Sequence, residues 1–173
     1  MREDLEREYV EYFESRMPHL RRLAALLCGG DVDRGDDVVQ AAATALYTRW
    51  RLARAATDVD AYVRRTVVNM FLRERRLRWA RVSLTDRVPD RPAVTGQPDD
   101  ERLVVRAALR QLPPRQQAVL VLRYLCDLPV AEVAQLLGCA EGTVKRQASD
   151  GLAALRKRLG NRTLDLAAQR RLA

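Results

Sequence analysis

The sequence predicts an all-α protein: two small helical domains joined by a flexible linker, with a helix-turn-helix in the C-terminal one. Three observations carry this expectation. Apolar residues recur at intervals of three and four through most of the chain, and alternating strand patterns are almost absent. Composition changes at "RVPDRPAVTGQPDD", Arg87 to Asp100, where three Pro, one Gly and few large apolar side chains cannot build a core. In "VAEVAQLLGCAEGTVKRQAS", Ala134, Gly138 and Val144 supply a small residue where two helices cross, a residue tolerant of positive φ in the turn, and a branched apolar anchor. The expected boundaries are residues 5–86 for the first domain, 87–100 for the linker, 101–160 for the second domain and 161–173 for a tail.

The elements follow in order. A first helix carries Tyr9, Phe13, Leu20, Leu23, Ala24 and Leu27 on one side; Pro18 is expected to kink or divide it, and "CGGD" ends it. In "RGDDVVQAAATALYTRWRLA" an apolar stripe of Val38, Val39, Ala42, Leu46 and Trp50 opposes Asp37, Gln40, Thr44 and Arg49. A turn at "RAATDVD" leads to a third helix, Ala61 to about Arg81, with Tyr62, Val63, Val67, Met70, Phe71 and Leu77 inward and the Arg side chains outward. After the linker "ERLVVRAALRQL" is helical, Pro113 and Pro114 open "RQQAVLVLRYLC", and Pro129 opens the helix-turn-helix. In the last helix Val144, Ala148, Leu152, Leu155 and Leu159 face the core. Its other face presents Thr143, Lys145, Arg146 and Ser149, with Gln147 at the margin, side chains suited to phosphate oxygens and base edges. Its N-cap falls on Ala140, which lacks the side-chain acceptor of Ser, Thr or Asp at a cost of about 1 kcal/mol.

Charge narrows the function. The chain has 173 residues and a formal net charge of +8. Ala61 to Arg81 holds seven Arg against Glu74 alone, and Ala140 to Arg162 holds six basic residues against Glu141 and Asp150. Met1 to Asp60, by contrast, has nine basic and twelve acidic residues. Two separated cationic patches behind a neutral-to-acidic stretch point to a polyanion touched twice and to a second partner elsewhere. Cys28, Cys126 and Cys139 lack the paired spacing of a zinc site or disulfide framework and read as free thiols, with oxidant sensing by Cys126 and Cys139 a further hypothesis. His19 is the only His, and no paired carboxylates, Gly-rich phosphate loop or Ser/His/Asp set appears, so neither catalysis nor a metal or other cofactor is expected. No signal peptide precedes Tyr9 and no apolar run approaches the roughly 18 residues of a membrane span, so a cytoplasmic protein without membrane insertion is expected.

"DDVVQAAATALYTRW" followed by "DVDAYVRRTVVNMFLRERRLR" resembles the second conserved region of bacterial extracytoplasmic-function sigma factors, in the sigma-70 superfamily, and within them an actinobacterial sigma-E-like group. "LPPRQQAVLVLRYLCDLPVAEVAQLLGCAEGTVKRQASDGLAALRKRL" resembles their fourth region. The resemblance implies a protein that binds core RNA polymerase and promoter DNA to start transcription. The helix from Asp36 to Arg49 would dock on the beta-prime clamp coiled coil through Asp36, Asp37 and Gln40. The third helix would read the minus-ten element, Asn69 at base edges and Arg65, Arg73 and Arg76 on phosphates. The loop Ala53 to Asp58 would catch a base flipped from the opening duplex. Lys145, Arg146 and Ser149, with Thr143 beside them and Arg115 and Arg123 on phosphate, would read the minus-thirty-five element as duplex. An anti-sigma protein joins the expected partners. In this chain Ala41 follows Gln40 where the family commonly has an acidic residue, and Arg146 stands where it often has a small one. The principal alternative is a stand-alone helix-turn-helix repressor or activator, which would bind duplex DNA tightly without polymerase.

Overall fold

The computed structural model describes residues 3–83 and 98–160. Among them there are eight α-helices and no strand: α1 (Glu3–Leu27), α2 (Val32–Tyr47), α3 (Trp50–Arg54), α4 (Val59–Ser83), α5 (Pro98–Arg110), α6 (Pro114–Leu120), α7 (Val130–Leu137) and α8 (Glu141–Leu159). The all-α class is therefore observed. Residues 84–86 at the end of the predicted first domain, 87–97 of the predicted linker and the tail from 161 lie outside the described residues; the last three linker positions open α5. None of the described helices is long and apolar enough to cross a membrane.

In the first half α1 packs along α2, burying Phe13, Leu20, Ala24 and Leu27 against Val38, Val39, Ala42 and Leu46. Each of the Val, Leu and Phe side chains contributes roughly 1.5–3 kcal/mol on leaving water. Pro18 does not divide α1, which runs unbroken through it. The Pro sits on the exposed side, where water can satisfy the carbonyl one turn back. Gly29 (φ 69°) and Gly30 (φ 86°) end the helix in left-handed backbone, with the Gly30 amide donating to the Ala25 carbonyl at 2.7 Å. Asp31 then caps α2, its carboxylate accepting from the Arg34 amide at 3.1 Å. The two helices cross so closely at Gly35 that a Cβ there would stand 2.7 Å from the Ala25 nitrogen.

The stretch read as one long second helix is broken at Thr48 and Arg49, and Trp50 begins α3. The break turns Trp50 into a cluster with Tyr9, Tyr12 and Phe13, with ring centroids 5.2 to 6.3 Å from the indole. Tyr12 ties this cluster to α4 by donating to Asp60 at 2.6 Å.

α4 departs from expectation at two residues. Leu77 is 58% exposed and Arg75 only 8%. Val67, Phe71 and Arg75 are four apart and lie along one side of the helix, so the row that buries Val67 and Phe71 carries Arg75 inward as well. Leu77, two residues further on, is rotated away from that row.

In the second half α6 passes into a π-helical turn at Val121–Leu125 in place of the regular α-helix that the sequence suggests. The turn is closed by the Leu128 amide donating to the Leu122 carbonyl at 3.0 Å and by Asp127 at φ 55°. α7 and α8 form the helix-turn-helix around Gly138 (φ 61°), with Ala134, Val144, Ala148 and Leu155 buried. Ala140 is the N-cap of α8 and makes no side-chain cap bond.

The two halves pack against each other, α4 lying on both α6 and α7. Gln117, fully buried, donates through Nε2 to the Leu27 carbonyl at 2.7 Å and accepts from Arg75 Nε at 3.1 Å. Arg75 Nη2 donates to the carbonyls of Arg110 at 2.5 Å and Leu112 at 3.3 Å. Burial lowers the Arg75 pKa from its ordinary value, and Arg34 lowers it further.

Candidate nucleic-acid and polymerase interfaces

α8 presents the predicted reading face as expected from its period. Thr143, Lys145, Arg146 and Ser149 are all exposed and Gln147 is half-buried, because Val144 and Ala148 hold the opposite side against the core. Arg146 approaches Asp150 one turn on at 3.9 Å, a loose surface pair. Arg115, in the first turn of α6, is exposed. Arg123 is half-buried, donates to the Leu128 carbonyl and lies 5.9 Å over the Tyr124 ring, so its guanidinium is already engaged within the π-helical turn.

On α4 the spacing of Arg65, Asn69, Arg73 and Arg76, four, four and three residues, sets them on one side of the helix, and all four are exposed. Glu74 does not neutralise that side: it is taken up by Arg34 at 3.2 Å and Arg78 at 2.9 Å. The loop from Ala53 to Asp58 borders a groove of about 850 Å³ whose lining includes Tyr47, Trp50, Arg51 and Arg54. Trp50 is 2% exposed and its indole N–H has no hydrogen-bond partner.

On α2, Asp37 and Gln40 are exposed beside the exposed Ala41, whereas Asp36 is half-buried and held by Arg21 at 3.1 Å. Val38, Val39 and Ala42, turned inward, force these polar residues out. The predicted core-binding set thus lies on α2, the minus-ten set on α4 and the minus-thirty-five set on α8, α6 and the π-helical turn, and the structure brings α4 against the helix-turn-helix. Arg65 lies against the turn of the helix-turn-helix, its Nη2 3.3 Å from where a Cβ on Gly138 would stand. Its neighbour Arg64 pairs with Glu132 of α7 at 2.7 Å. Neither contact is legible in the sequence, because both join segments 68 or more residues apart.

Cys28 is buried, and Cys126 and Cys139 are half-buried free thiols. Burial pushes the Cys28 thiol up to about 11, with Arg34 opposing, and burial also raises that of Cys126. Among the described residues no group of three or more His, Cys, Asp or Glu is placed to hold a metal ion.

The chain matches the family model described as sigma-70, region 4, over residues 102–155. It is 33% identical over 170 residues to the RNA polymerase sigma-E factor of Streptomyces coelicolor, covering 95% of this chain and 93% of that protein. The chain belongs to the extracytoplasmic-function RNA polymerase sigma factors. A second relative, the ECF RNA polymerase sigma factor SigM of Mycobacterium tuberculosis, is 31% identical over 154 residues, 88% of this sigma factor and 77% of SigM. Among solved structures, the sigma factor RpoE of Bartonella quintana, in complex with the anti-sigma factor NepR, aligns at a TM-score of 0.63 and 22% identity over 90% of this chain and 98% of that one, a likeness of fold. This sigma factor is thus an alternative specificity subunit for transcription initiation, and the stand-alone repressor reading is not favoured.

Proposed function

We propose that this sigma factor docks on core RNA polymerase through α2 and reads two promoter elements through two separate helices. Asp37 and Gln40, with Asp36 once it exchanges Arg21 for a polymerase cation, meet the beta-prime clamp coiled coil. Arg65, Arg73 and Arg76 hold phosphates of the minus-ten strand while Asn69 bonds base edges, and the groove beside α3 receives an unstacked base. Thr143, Lys145, Arg146 and Ser149 enter the major groove of the minus-thirty-five element, with Arg115 on phosphate. Arg123 acts there only after leaving the Leu128 carbonyl. The observation that carries this reading is the exposure of all four minus-ten residues on one side of α4 and of Thr143, Lys145, Arg146 and Ser149 on one side of α8.

The protein works in the cytoplasm, where core polymerase and promoters are, and contributes binding energy to strand opening without catalysing a reaction of its own. An anti-sigma protein is a further partner of this reading, supported by the fold it shares with a sigma factor solved with one. The test is to mix the full chain with bacterial core polymerase, follow complex formation by size exclusion, and map run-off starts on a pool of genomic promoters. A stable complex with new, sequence-specific starts is expected. Tight duplex binding by the free chain with no complex would overturn the reading.

A further inference from the structure

We infer that α1 positions the base groove: Glu8, Tyr12 and Arg16 pin both ends of the loop at residues 55–58, so that the groove is already formed when an unstacked base arrives. The inference rests on the proposed minus-ten reading and deepens it by naming the residues that shape its groove. None of the residues assigned to polymerase or DNA lies on α1, and burial of Phe13, Leu20, Ala24 and Leu27 already secures that helix to α2. Its polar side chains have a different task. Glu8, Tyr12 and Arg16 recur every fourth residue, the spacing that sets them along one side of a helix.

α1 ties down each segment that flanks the groove, and Asp4 and Leu5 line it directly. Tyr47, at the end of α2, donates to Glu6 at 3.2 Å and meets Tyr9 edge-on with ring centroids 5.4 Å apart. Arg54, the last residue of α3, pairs with Glu8 at 3.0 Å. Asp60, in the first turn of α4, accepts from the Tyr12 hydroxyl at 2.6 Å and pairs with Arg16 at 3.0 Å. Glu8 therefore fixes the start of the loop, and Tyr12 and Arg16 fix its end. Asp58 sets the entry into α4 by accepting from the Ala61 amide at 2.8 Å. The two ion pairs are half-exposed, and pairs of that kind add little to overall stability. What they reduce is the number of conformations open to a short loop held at both ends. An unstacked base needs a groove that already has its shape, and its apparent affinity scales with the fraction of time the groove has it. The phosphate contacts of α4 begin at Arg65, beyond that first turn, so the clasp acts on base retention and not on backbone binding.

The test uses the full chain bound to core RNA polymerase and a fluorescent single strand spanning the minus-ten region of a mapped promoter, intact or with an abasic site at each position in turn. Wild type should lose roughly tenfold in affinity at one position, that of the captured base, as expected for a single stacked base. Tyr12→Phe keeps the ring against Trp50 but removes the donor to Asp60. Glu8→Arg and Arg16→Asp set like charges against Arg54 and Asp60, while Arg16→Lys keeps a cation beside Asp60. The first three variants should bind the intact strand about fivefold more weakly and the abasic strand as wild type does, so that the penalty at that position nearly vanishes. Arg16→Lys should retain it. Equal weakening of every strand, or a full penalty in all the variants, overturns the positioning role and leaves the base groove standing. A wild type with no sensitive position overturns the base groove, and the clasp with it. Arg16 is exposed, so Arg16→Asp decides the matter should Tyr12→Phe fail to fold.

Discussion

In the proposed reading Asn69 and Lys145 do different work, although both sit on exposed helical faces. Asn69 offers a donor and an acceptor to one base, so Asn69→Ala should weaken minus-ten reading by about 1–3 kcal/mol, roughly 5- to 150-fold in promoter affinity, with loss of preference at a single base position. Run-off on promoters varied one base at a time reads this; uniform loss at all positions would assign Asn69 to the backbone instead. Cys28 gives a residue-level prediction about pH. Its folded thiol is pushed up to about 11 from an ordinary 9.0, so the neutral form is favoured by folding. Its contribution to stability is complete below pH 9 and is lost as pH rises through about 11. Urea midpoints measured between pH 8 and 11 should fall more steeply for wild type than for Cys28→Ala. The exposed faces proposed to read DNA are legible because three- and four-residue spacing alone sets their residues on one side of a helix. Arg75 is legible only in hindsight: its place four residues after Phe71 puts it on the buried row, but nothing local says that an acceptor waits there.

At the scale of the element, α8 starts without a cap. Ala140 stands in extended backbone (φ −72°, ψ 151°) with its side chain unable to accept. Ala140→Ser should stabilise the chain by roughly 0.5–2 kcal/mol, raising the thermal midpoint by a few degrees. An unchanged midpoint would mean that water already satisfies the first turn. The crossing of α1 and α2 gives the opposite sign. Gly35→Ala drives a Cβ to within 2.7 Å of the Ala25 backbone, which cannot rotate away as a side chain can. A loss of about 1–3 kcal/mol in chemical denaturation is expected, with no change in which promoter is chosen. Helix identity is legible from period throughout, whereas the break before Trp50 and the π-helical turn at Val121–Leu125 are not. Both arise where packing of an aromatic cluster or closure onto Leu128 outweighs the small propensity differences that local sequence expresses.

For the whole molecule, the formal charge of +8 and its concentration on α4 and α8 make promoter affinity dependent on salt. Lys145→Ala should reduce the slope of log affinity against log salt by about 1 if Lys145 holds a phosphate, whereas Asn69→Ala should leave the slope unchanged. Fluorescence anisotropy of the polymerase complex on promoter DNA across a salt series measures both. The sequence by itself determined the all-α class, the helix-turn-helix and the sides of α2, α8 and, apart from Arg75 and Leu77, α4 that face outward. Those properties follow from helical period, the φ tolerance of Gly138 and the distribution of charge, all of which act within a few residues. Only the tertiary structure decided that α4 lies on α6 and α7, with Arg75 on Gln117 and Arg65 at the Gly138 turn. Those contacts join residues 42 to 73 positions apart in the chain, and their strength comes from burial and exact complementarity of donor and acceptor, which no local pattern encodes.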